Sequence, residues 1–317
     1  MHDVDILTWK MGKIDEEVDR GLNVHRIYTP PTDVLLERRL MISLAGYLRA
    51  KNYDAVHALH SIPGFFPGFR YPTVVTVHIT RDIDPSNIWL HYKTLLQKII
   101  FKKASSIICV STNLVEILKE KYNVSDAVYI PLGIDIHHFH PKINVKGLKE
   151  HLLEGKYDNL VLSIGIHGTK IDTLLELAKR NPRTKFMVIG IPGIQQLPQN
   201  MKLLFGVSEE DLRRYYAAAD LFFRPLRFAT ANCTILEAMA MGKPIITDGI
   251  PGVLDYLNDD SAYLARRGNY IEQFERAIND ENERKNKAQI ARRRAEKEFA
   301  WEIVANKVTE VYENVVK

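Results

Sequence analysis

Residues 204–257 read LFGVSEEDLRRYYAAADLFFRPLRFATANCTILEAMAMGKPIITDGIPGVLDYL, and this stretch decides the fold. The apolar run Leu221–Phe223 predicts a buried strand that leads into an irregular loop, Arg224–Cys233. We expect a helix from about Thr234 and a second buried strand at Pro244–Thr247. The order strand, loop, helix, strand is that of a parallel α/β sheet, in which ligands bind beyond the carboxyl ends of the strands.

The junction between this loop and its helix predicts a nucleotide site. Backbone N–H groups at a helix N-terminus, together with the helix dipole, suit a diphosphate. Glu237 falls in the expected first turn, where a carboxylate can accept hydrogen bonds from a ribose diol. The simpler interpretation of Glu237 is an acid that only favours the helix dipole.

Short β-branched runs alternate with helical patterns along the rest of the chain, which predicts parallel sheets covered by helices on both faces. The expected strands are Val4–Thr8, Val24–Tyr28, Ala55–Ala58, Thr73–Val77, Ser106–Val110, Val128–Ile130, Leu160–Ile164, Lys185–Ile189, Lys202–Phe205, Leu221–Phe223, Pro244–Thr247 and Ala262–Leu264. The expected helices are Leu35–Lys51, Ile88–Lys103, Asn113–Lys121, Ile171–Lys179, Glu209–Ala219, Thr234–Met241 and Val304–Val315. The strand signal pauses after Pro141, so we expect Rossmann-like doubly wound α/β domains at residues 1–141 and 142–298, followed by a final helix at 299–317.

The bulk composition narrows the functional class. A chain with 46% hydrophobic and 26% charged residues is typical of a globular protein in water. A net charge of +4 is too mild for a dedicated nucleic-acid binder, so we expect no nucleic-acid partner. Cys109 and Cys233 stand apart and form no metal or redox motif, so we expect no bound metal and a cytoplasmic location.

Five short motifs follow one another along the chain: YDAVHA at 53–58, VVTVH at 74–78, ASSIICVS at 104–111, IPLGID at 130–135 and LEAMAMGKP at 236–244. Together they resemble the family-4 (group 1) glycosyltransferases of the GT-B type, over nearly the whole chain. The resemblance implies two Rossmann-like domains that face a cleft, with a C-terminal helix after Phe299–Glu302 that crosses back to the N-terminal domain. It also implies transfer of a sugar from a nucleotide diphosphate sugar to an unknown acceptor, with retention and with no metal or other cofactor.

The resemblance also assigns site residues. Glu237 would bind the ribose, and His78 would be the catalytic residue that positions the donor sugar. The donor phosphates would be held by the backbone at Thr230, Ala231, Asn232 and Cys233, and by the side chains of Lys170, His167, Arg224 and Arg227. Each has a simpler interpretation: Lys170 as a surface lysine at a helix start, the two arginines as a basic rim, and His78 as a structural histidine.

The chain departs from the family pattern at three places. Ala229 stands where the first Glu of the family's Glu-x7-Glu pair belongs, and Ile166 stands where an Arg normally contacts the diphosphate. The family's first strand is also missing, so we expect Val4–Thr8 to pair directly with Ala55–Ala58, or the start to lie inside a longer reading frame. These departures favour a rival, a catalytically degenerate nucleotide-binding or partner subunit. A GT-B epimerase is a third alternative.

One segment bears on the acceptor. In Trp89–Lys103 the residues Tyr92, Leu95, Leu96, Ile99 and Ile100 share one helical face, with lysines beside them. The simpler interpretation is a helix that packs on the sheet. The alternative is peripheral contact with the inner membrane face, because many relatives use carbohydrate or lipid-linked acceptors.

Overall fold

The computed structural model describes residues 4–9, 16–19, 22–27, 35–78, 88–165, 168–191 and 196–317. The chain divides into two compact units. The first comprises residues 1–130 and 307–317, and the second comprises residues 131–306. The sequence places its boundary at residue 141, eleven residues beyond this division.

The first unit contains two separate sheets. The strands are β1 (Asp5–Trp9), β2 (Glu16–Asp19), β3 (Leu22–Ile27), β4 (Val56–Ala58), β5 (Thr73–Val77), β6 (Ser106–Cys109) and β7 (Val128–Tyr129). The order β1-β3-β2 forms one sheet, with β1 parallel and β2 antiparallel to β3. The order β4-β5-β6-β7 forms a second, parallel sheet.

The expected pairing of Val4–Thr8 with Ala55–Ala58 is wrong for the residues that the structure describes. Here β1 pairs with β3 in parallel, from Asp5 opposite Asn23 to Trp9 opposite Ile27. The backbone of β1 therefore finds its hydrogen-bonding partner within the N-terminal sheet and not on β4. Strand β2 is not predicted from the sequence, because three of its four residues, EEVD, are acids, which are depleted in strands.

Within its described residues the first unit wholly contains three α-helices: α1 (Leu35–Arg49), α2 (Ile88–Lys103) and α3 (Thr112–Tyr122). The inward face of α2 differs from the predicted apolar stripe. Gln97, Ile100 and Phe101 are buried, whereas Leu95 is 58% exposed. The spacing of the three buried residues is that of one helical face, so Leu95 lies on the outer side.

The second unit is built on a six-stranded parallel sheet in the order β10-β9-β8-β11-β12-β13. Its strands are β8 (Asn159–Ile164), β9 (Thr184–Ile189), β10 (Met201–Leu204), β11 (Leu221–Arg224), β12 (Ile245–Asp248) and β13 (Tyr263–Ala265). Its helices are α4 (Leu148–Leu153), α5 (Ile171–Arg180), α6 (Glu209–Ala218), α7 (Cys233–Ala240), α8 (Tyr270–Asn279), α9 (Glu281–Glu298) and the first turns of α10 (Trp301–Val316). Strands β9, β11, β12 and β13 are buried along their whole length, as their apolar sequences predict.

Apolar cores cover both faces of this sheet. One core contains Tyr216, Phe222 and Leu236 with the alanines Ala291 and Ala295 of α9. The small alanine side chains let the otherwise charged α9 lie close to α7. The other core is centred on residues of α5, β9 and α8, and both faces of the sheet are therefore shielded from water.

The C-terminal helix begins in the second unit and ends in the first. Its start is fixed by a short parallel bridge between Ile134 and Ala300, with Trp301 donating its N–H to the Ile134 carbonyl. Gly133 lies against the Trp301 ring so closely that a Cβ at Gly133 would be 2.6 Å from it. Within the described ranges no helix has the length and apolar character that crossing a bilayer requires.

Candidate functional site

Three loops meet at the carboxyl edge of the second unit's sheet, because they follow the neighbouring strands β8, β11 and β12. The first runs from Gly165 to the start of α5, the second from Pro225 to Asn232, and the third begins after Asp248. His167 and Ile166 lie outside the described residues. The site residues predicted in the second unit, apart from His167 and Glu237, lie on the first two loops or at their ends, and Glu237 lies on α7.

The first two loops are joined by backbone hydrogen bonds. Thr169 and Leu226 form an antiparallel bridge, Lys170 donates its N–H to the Pro225 carbonyl at 3.0 Å, and Arg227 donates its N–H to the Gly168 carbonyl at 2.7 Å. Gly168 has φ +72°, and a Cβ there would lie 3.1 Å from the Phe228 carbonyl oxygen. The loops therefore form one connected structure that needs a glycine at this position.

Asp248, at the end of β12, ties these loops to a third element. Its carboxylate accepts the N–H of Leu226 at 2.6 Å, the Lys170 ammonium at 2.6 Å and the Tyr270 hydroxyl at 2.5 Å. The Lys170 Nζ also lies 2.9 Å from the Tyr270 hydroxyl. Asp248 is 5% exposed, and the Lys170 side chain is 31% exposed. Lys170 is thus an ion-paired group at the base of the loops, and Asp248 offsets most of its charge.

Arg224 lies in the interior beneath the first loop. It is 3% exposed and its guanidinium donates a hydrogen bond to the Thr169 hydroxyl. A Cβ at Gly165, where φ is +114°, would lie 2.6 Å from an Arg224 nitrogen, so glycine lets the guanidinium pack against the backbone. Burial lowers the pKa of Arg224 to about 10, which keeps it charged at neutral pH.

Arg227 differs from the other two cations, because its side chain is exposed. Within the part of the chain that the structure describes, its guanidinium has no carboxylate or hydrogen-bond partner. Its backbone position is fixed by the bond to Gly168. Of the predicted phosphate-binding cations that the structure describes, Arg227 is therefore the one that is held in place at the backbone and open at the side chain.

The second loop leads directly into the N-terminus of α7. Asn232 is its N-cap, with the side-chain oxygen accepting from the Ile235 N–H at 3.2 Å and from the Thr234 hydroxyl at 2.7 Å. The helix starts at Cys233, so Glu237 lies in the second turn and the predicted first-turn position is wrong. The amides of Cys233 and Thr234 precede the first intrahelical bonds, so the helix provides no acceptor for them.

The loop before α7 packs closely against Gly252. At φ +82° its Cα faces the carbonyls of Ala229 and Thr230, and a Cβ there would lie 2.5 Å from the Ala229 oxygen. The predicted phosphate cradle, Thr230 to Cys233, is partly or fully exposed along its length. Both carbonyls therefore turn away from the exposed side of the cradle, toward Gly252.

Glu237 is partly exposed and accepts a hydrogen bond from the Tyr216 hydroxyl at its Oε2, 2.9 Å away. Tyr216 is completely buried on α6. Burial raises the pKa of Glu237, and the Tyr216 hydrogen bond acts against that rise. Burial of Tyr216, together with the charge and hydrogen bond of the neighbouring Glu237, raises the pKa of Tyr216 well above its usual value.

The predicted catalytic residue His78 belongs to the first unit, directly after β5, and is partly exposed. Its ring centroid is 5.6 Å from that of His60. Nearby, His57 has Nδ1 2.6 Å from the Tyr312 hydroxyl and Nε2 2.6 Å from the Thr76 hydroxyl. Burial, with a smaller contribution from His78, lowers the pKa of His57 to about 4. Within the described ranges, no three His, Cys, Asp or Glu residues lie together as metal ligands would.

Sequence reasoning missed three residues that shape the site: Tyr216, Asp248 and Gly252. Asp248 had a usable signal, because an acid that ends the apolar run IIT lies at the carboxyl end of a parallel strand. Gly252 follows a proline in a loop, a common turn signal. Tyr216 had none, since its partner Glu237 is 21 residues away.

Two family models match the chain. One, described as Glycosyltransferase Family 4, matches residues 1–138, and the other, described as Glycosyl transferases group 1, matches residues 169–280. The UDP-Gal:alpha-D-GlcNAc-diphosphoundecaprenol alpha-1,3-galactosyltransferase of Escherichia coli is 27% identical over 281 residues, covering 79% of this chain and 72% of that protein.

Solved structures agree on the fold. Sucrose-phosphate synthase from Thermosynechococcus elongatus superposes with a TM-score of 0.83 at 18% identity, covering 99% of this chain and 89% of that chain. Anabaena Alr3699/HepE, solved in complex with UDP and glucose, has a TM-score of 0.76 at 17% identity, covering 92% and 86%. The predicted two-domain doubly wound α/β fold is confirmed.

Proposed function

Because this chain belongs to the family-4 glycosyltransferases of the GT-B fold, we propose that it transfers a sugar from a nucleotide diphosphate sugar to an acceptor. The observation that carries the proposal is that exposed Arg227 lies on the loop that leads directly into α7, whose first-turn amides of Cys233 and Thr234 have no acceptor within the helix. An anion such as a diphosphate is favoured where a helix N-terminus and a guanidinium meet. Glu237, one turn further along, supplies a carboxylate oxygen for the ribose.

The donor diphosphate would be neutralised by protein groups and not by a bound cation. The α7 N-terminus carries about half a positive charge, and Arg227 adds a full one. Lys170 contributes less, because Asp248 already offsets its charge at 2.6 Å. Activity that survives chelation with EDTA is the expected result, and activity that returns only with a divalent cation would contradict this part of the proposal.

We further propose that the reaction retains the anomeric configuration. The nucleoside diphosphate would leave from the face that the acceptor attacks, and the leaving phosphate would take the acceptor's proton. His78 would position the sugar, so His78→Ala is expected to lower kcat much more than it weakens nucleotide binding. Proton NMR of freshly released sugar tests retention: an α-linked donor should give the α anomer first.

Calorimetric titration tests the donor site. UDP, GDP and ADP would be titrated into the wild type, into Arg227→Ala and into Arg180→Ala. One of the nucleotides should bind the wild type, and Arg227→Ala should weaken that binding about tenfold or more, the value of a hydrogen bond to a charged group. Arg180 is an exposed cation at the far end of α5, so its variant should bind as the wild type does.

Cysteine labelling gives an independent readout, because the chain has two cysteines, Cys109 is buried and Cys233 is exposed at the first residue of α7. Bound nucleotide should slow the alkylation of Cys233 by iodoacetamide. Nucleotide binding without any release of UDP from a UDP-sugar would favour the rival function, a degenerate binding subunit. Absence of both protection and binding would contradict the donor site.

The acceptor side of the proposal rests on a surface of the first unit, which we call the basic apolar patch: Leu44, Leu48, Arg49, Lys51, Phe69, Arg70, Lys102 and Lys103. All eight are exposed, with Leu48 at 63% and Phe69 at 53%. The Lys103 ammonium lies 5.6 Å over the Phe69 ring, and the turn Pro67–Phe69 contacts both α1 and α2. Residues 38–53, 55–80 and 88–115 contain no Asp or Glu.

We propose that this patch rests on an anionic membrane at its cytoplasmic face, where a lipid-linked acceptor would be presented. Exposed apolar side chains beside several cations are the pattern of interfacial binding. Sedimentation with phosphatidylglycerol vesicles should carry down the protein, and the Lys102→Glu/Lys103→Glu variant should bind at least about tenfold more weakly. The charge-matched control is Lys179→Glu/Arg180→Glu on α5. Equal loss in both variants, or equal binding to neutral phosphatidylcholine, would contradict the patch.

A further inference from the structure

Tyr216 is a buried group of the described second unit to which the proposed chemistry gives no role. Its side chain is fully buried, and its ring packs against Phe139 and Phe222 with centroid distances of 6.4 and 5.5 Å. The hydroxyl therefore has a fixed position. It lies 2.9 Å from Glu237 Oε2 and 3.1 Å from the Thr234 carbonyl oxygen.

The hydroxyl has a single proton for these two oxygens. A carboxylate is the stronger acceptor, so the proton is directed mainly at Glu237. The same contact holds one carboxylate oxygen and leaves Oε1 of the partly exposed Glu237 without a donor in the part of the chain that the structure describes. A carboxylate held at one oxygen by a rigid aromatic group has a defined orientation at the other.

We propose that Tyr216 is a positioning residue for the nucleotide ribose: its hydroxyl fixes the Glu237 carboxylate so that Oε1 accepts from the ribose diol. The inference rests on the proposed donor site and deepens it. It assigns the discrimination between ribose and deoxyribose to a pair of residues on α6 and α7. Tyr216 itself does not touch the ligand, because it is completely buried.

Charged and titratable groups around the carboxylate set its pH dependence. Burial raises the pKa of Glu237, the Tyr216 hydroxyl lowers it, and the like charge of Glu209 raises it by a smaller amount. Cys233 and Arg224 also face the pair: both act electrostatically on Tyr216, in opposite directions. Loss of the hydroxyl therefore leaves Glu237 with a higher pKa, so it is neutral over a wider pH range.

Tyr216→Phe tests the inference, with Tyr215→Phe as the matched control. Tyr215 is the preceding residue on the same helix and is partly exposed. Each protein would be titrated with UDP, with 2′-deoxy-UDP and with inorganic pyrophosphate between pH 5.5 and 8.5. If another nucleotide binds the wild type better, its diphosphate and 2′-deoxy form replace the first two probes.

The wild type should prefer the ribonucleotide over the deoxynucleotide, and Tyr216→Phe should reduce this preference about tenfold. Pyrophosphate affinity should stay unchanged, because it reports only on the phosphate groups. The remaining preference in Tyr216→Phe should fall as the pH is lowered, starting at a higher pH than in the wild type. In a Glu237→Ala background, Tyr216→Phe should have no further effect on the preference.

Each alternative result has a distinct meaning. If the wild type binds no nucleotide, the proposed function fails and the inference fails with it. If the wild type binds the ribonucleotide but Tyr216→Phe keeps the full preference, the inference is overturned and the proposed function stands. Equal weakening of all three probes would show a general loss of structure, and it would also overturn the positioning role.

Discussion

Replacement of Asp248 by Ala should destabilise the second unit, because three donors lose their acceptor at once. The N–H of Leu226 would be left unsatisfied in a residue that is 1% exposed. A buried donor without a partner costs about 1–3 kcal/mol. Lys170 would lose its ion-pair partner as well, although its side chain is 31% exposed and water recovers part of that energy.

Together these losses give an expected destabilisation of about 3 kcal/mol. For a unit of this size, each kcal/mol corresponds to about 2–4 °C, so Tm should fall by roughly 6–12 °C. Thermal and urea unfolding, followed by circular dichroism, measure the global effect. Hydrogen exchange measures the local one: the Leu226 amide should lose protection far more than amides of β9.

Asp259→Ala provides the control for a lost carboxylate. Its ion pair with Arg266 is also short, at 2.8 Å, but both side chains are more than half exposed. Exposed pairs contribute about 0–1 kcal/mol, so this variant should unfold almost as the wild type does. If Asp248→Ala lost no more stability than Asp259→Ala, and Leu226 kept its protection, Asp248 would not be the residue that holds the three loops together.

Two further predictions concern stability. Gly165→Ala should lower the free energy of unfolding more than Gly147→Ala does, as measured by thermal unfolding. Both glycines have positive φ, but a Cβ at Gly165 would lie 2.6 Å from the Arg224 guanidinium, whereas nothing lies within 4 Å of a Cβ at Gly147. Equal destabilisation would show that Arg224 moves aside at no cost. The neutral His57, with a folded pKa of about 4, should contribute stability that is complete above pH 6.5 and is lost as the pH falls from 6.5 toward 4, by at most about 3 kcal/mol. His57→Gln should flatten this part of the stability–pH curve, and an unchanged curve would contradict the buried neutral histidine.

The second unit could be predicted well from sequence because its signals are local. Strands covered on both faces are continuous apolar runs, and the run ending at Phe223 was identified to within one residue of β11. The helix expected from Thr234 begins at Cys233, one residue earlier. That small shift is a usual error for a helix end, but it moves Glu237 from the first turn to the second.

Side-chain partnerships could not be predicted in this way, because they join residues far apart in the chain. Lys170 and Asp248 are 78 residues apart, and Lys170 and Tyr270 are 100 apart. A lysine near a glycine-rich strand end suggests a phosphate contact, and nothing nearby in the sequence indicates that it forms an ion pair with a buried carboxylate. The pairing predicted for the N-terminal strand was wrong for a related reason: β1 pairs with β3, and nothing within Val4–Thr8 specifies the neighbouring strand.

The structure also changes how the positive charge of the site is distributed. The predicted phosphate-binding cations that the structure describes differ in burial and pairing: Arg224 lies in the interior against Gly165, and Lys170 is paired with Asp248. In this described part of the site Arg227 and the α7 N-terminus are the more open positive groups: Arg227 is fixed by its backbone bond to Gly168, and the helix start is capped by the Asn232 side chain. Groups that are already ordered cost little entropy when they bind a ligand. In the proposed donor site, Arg224 and Lys170 would therefore act on a diphosphate mainly by holding the loops in place, and the contacts themselves would fall to Arg227 and the first-turn amides of α7.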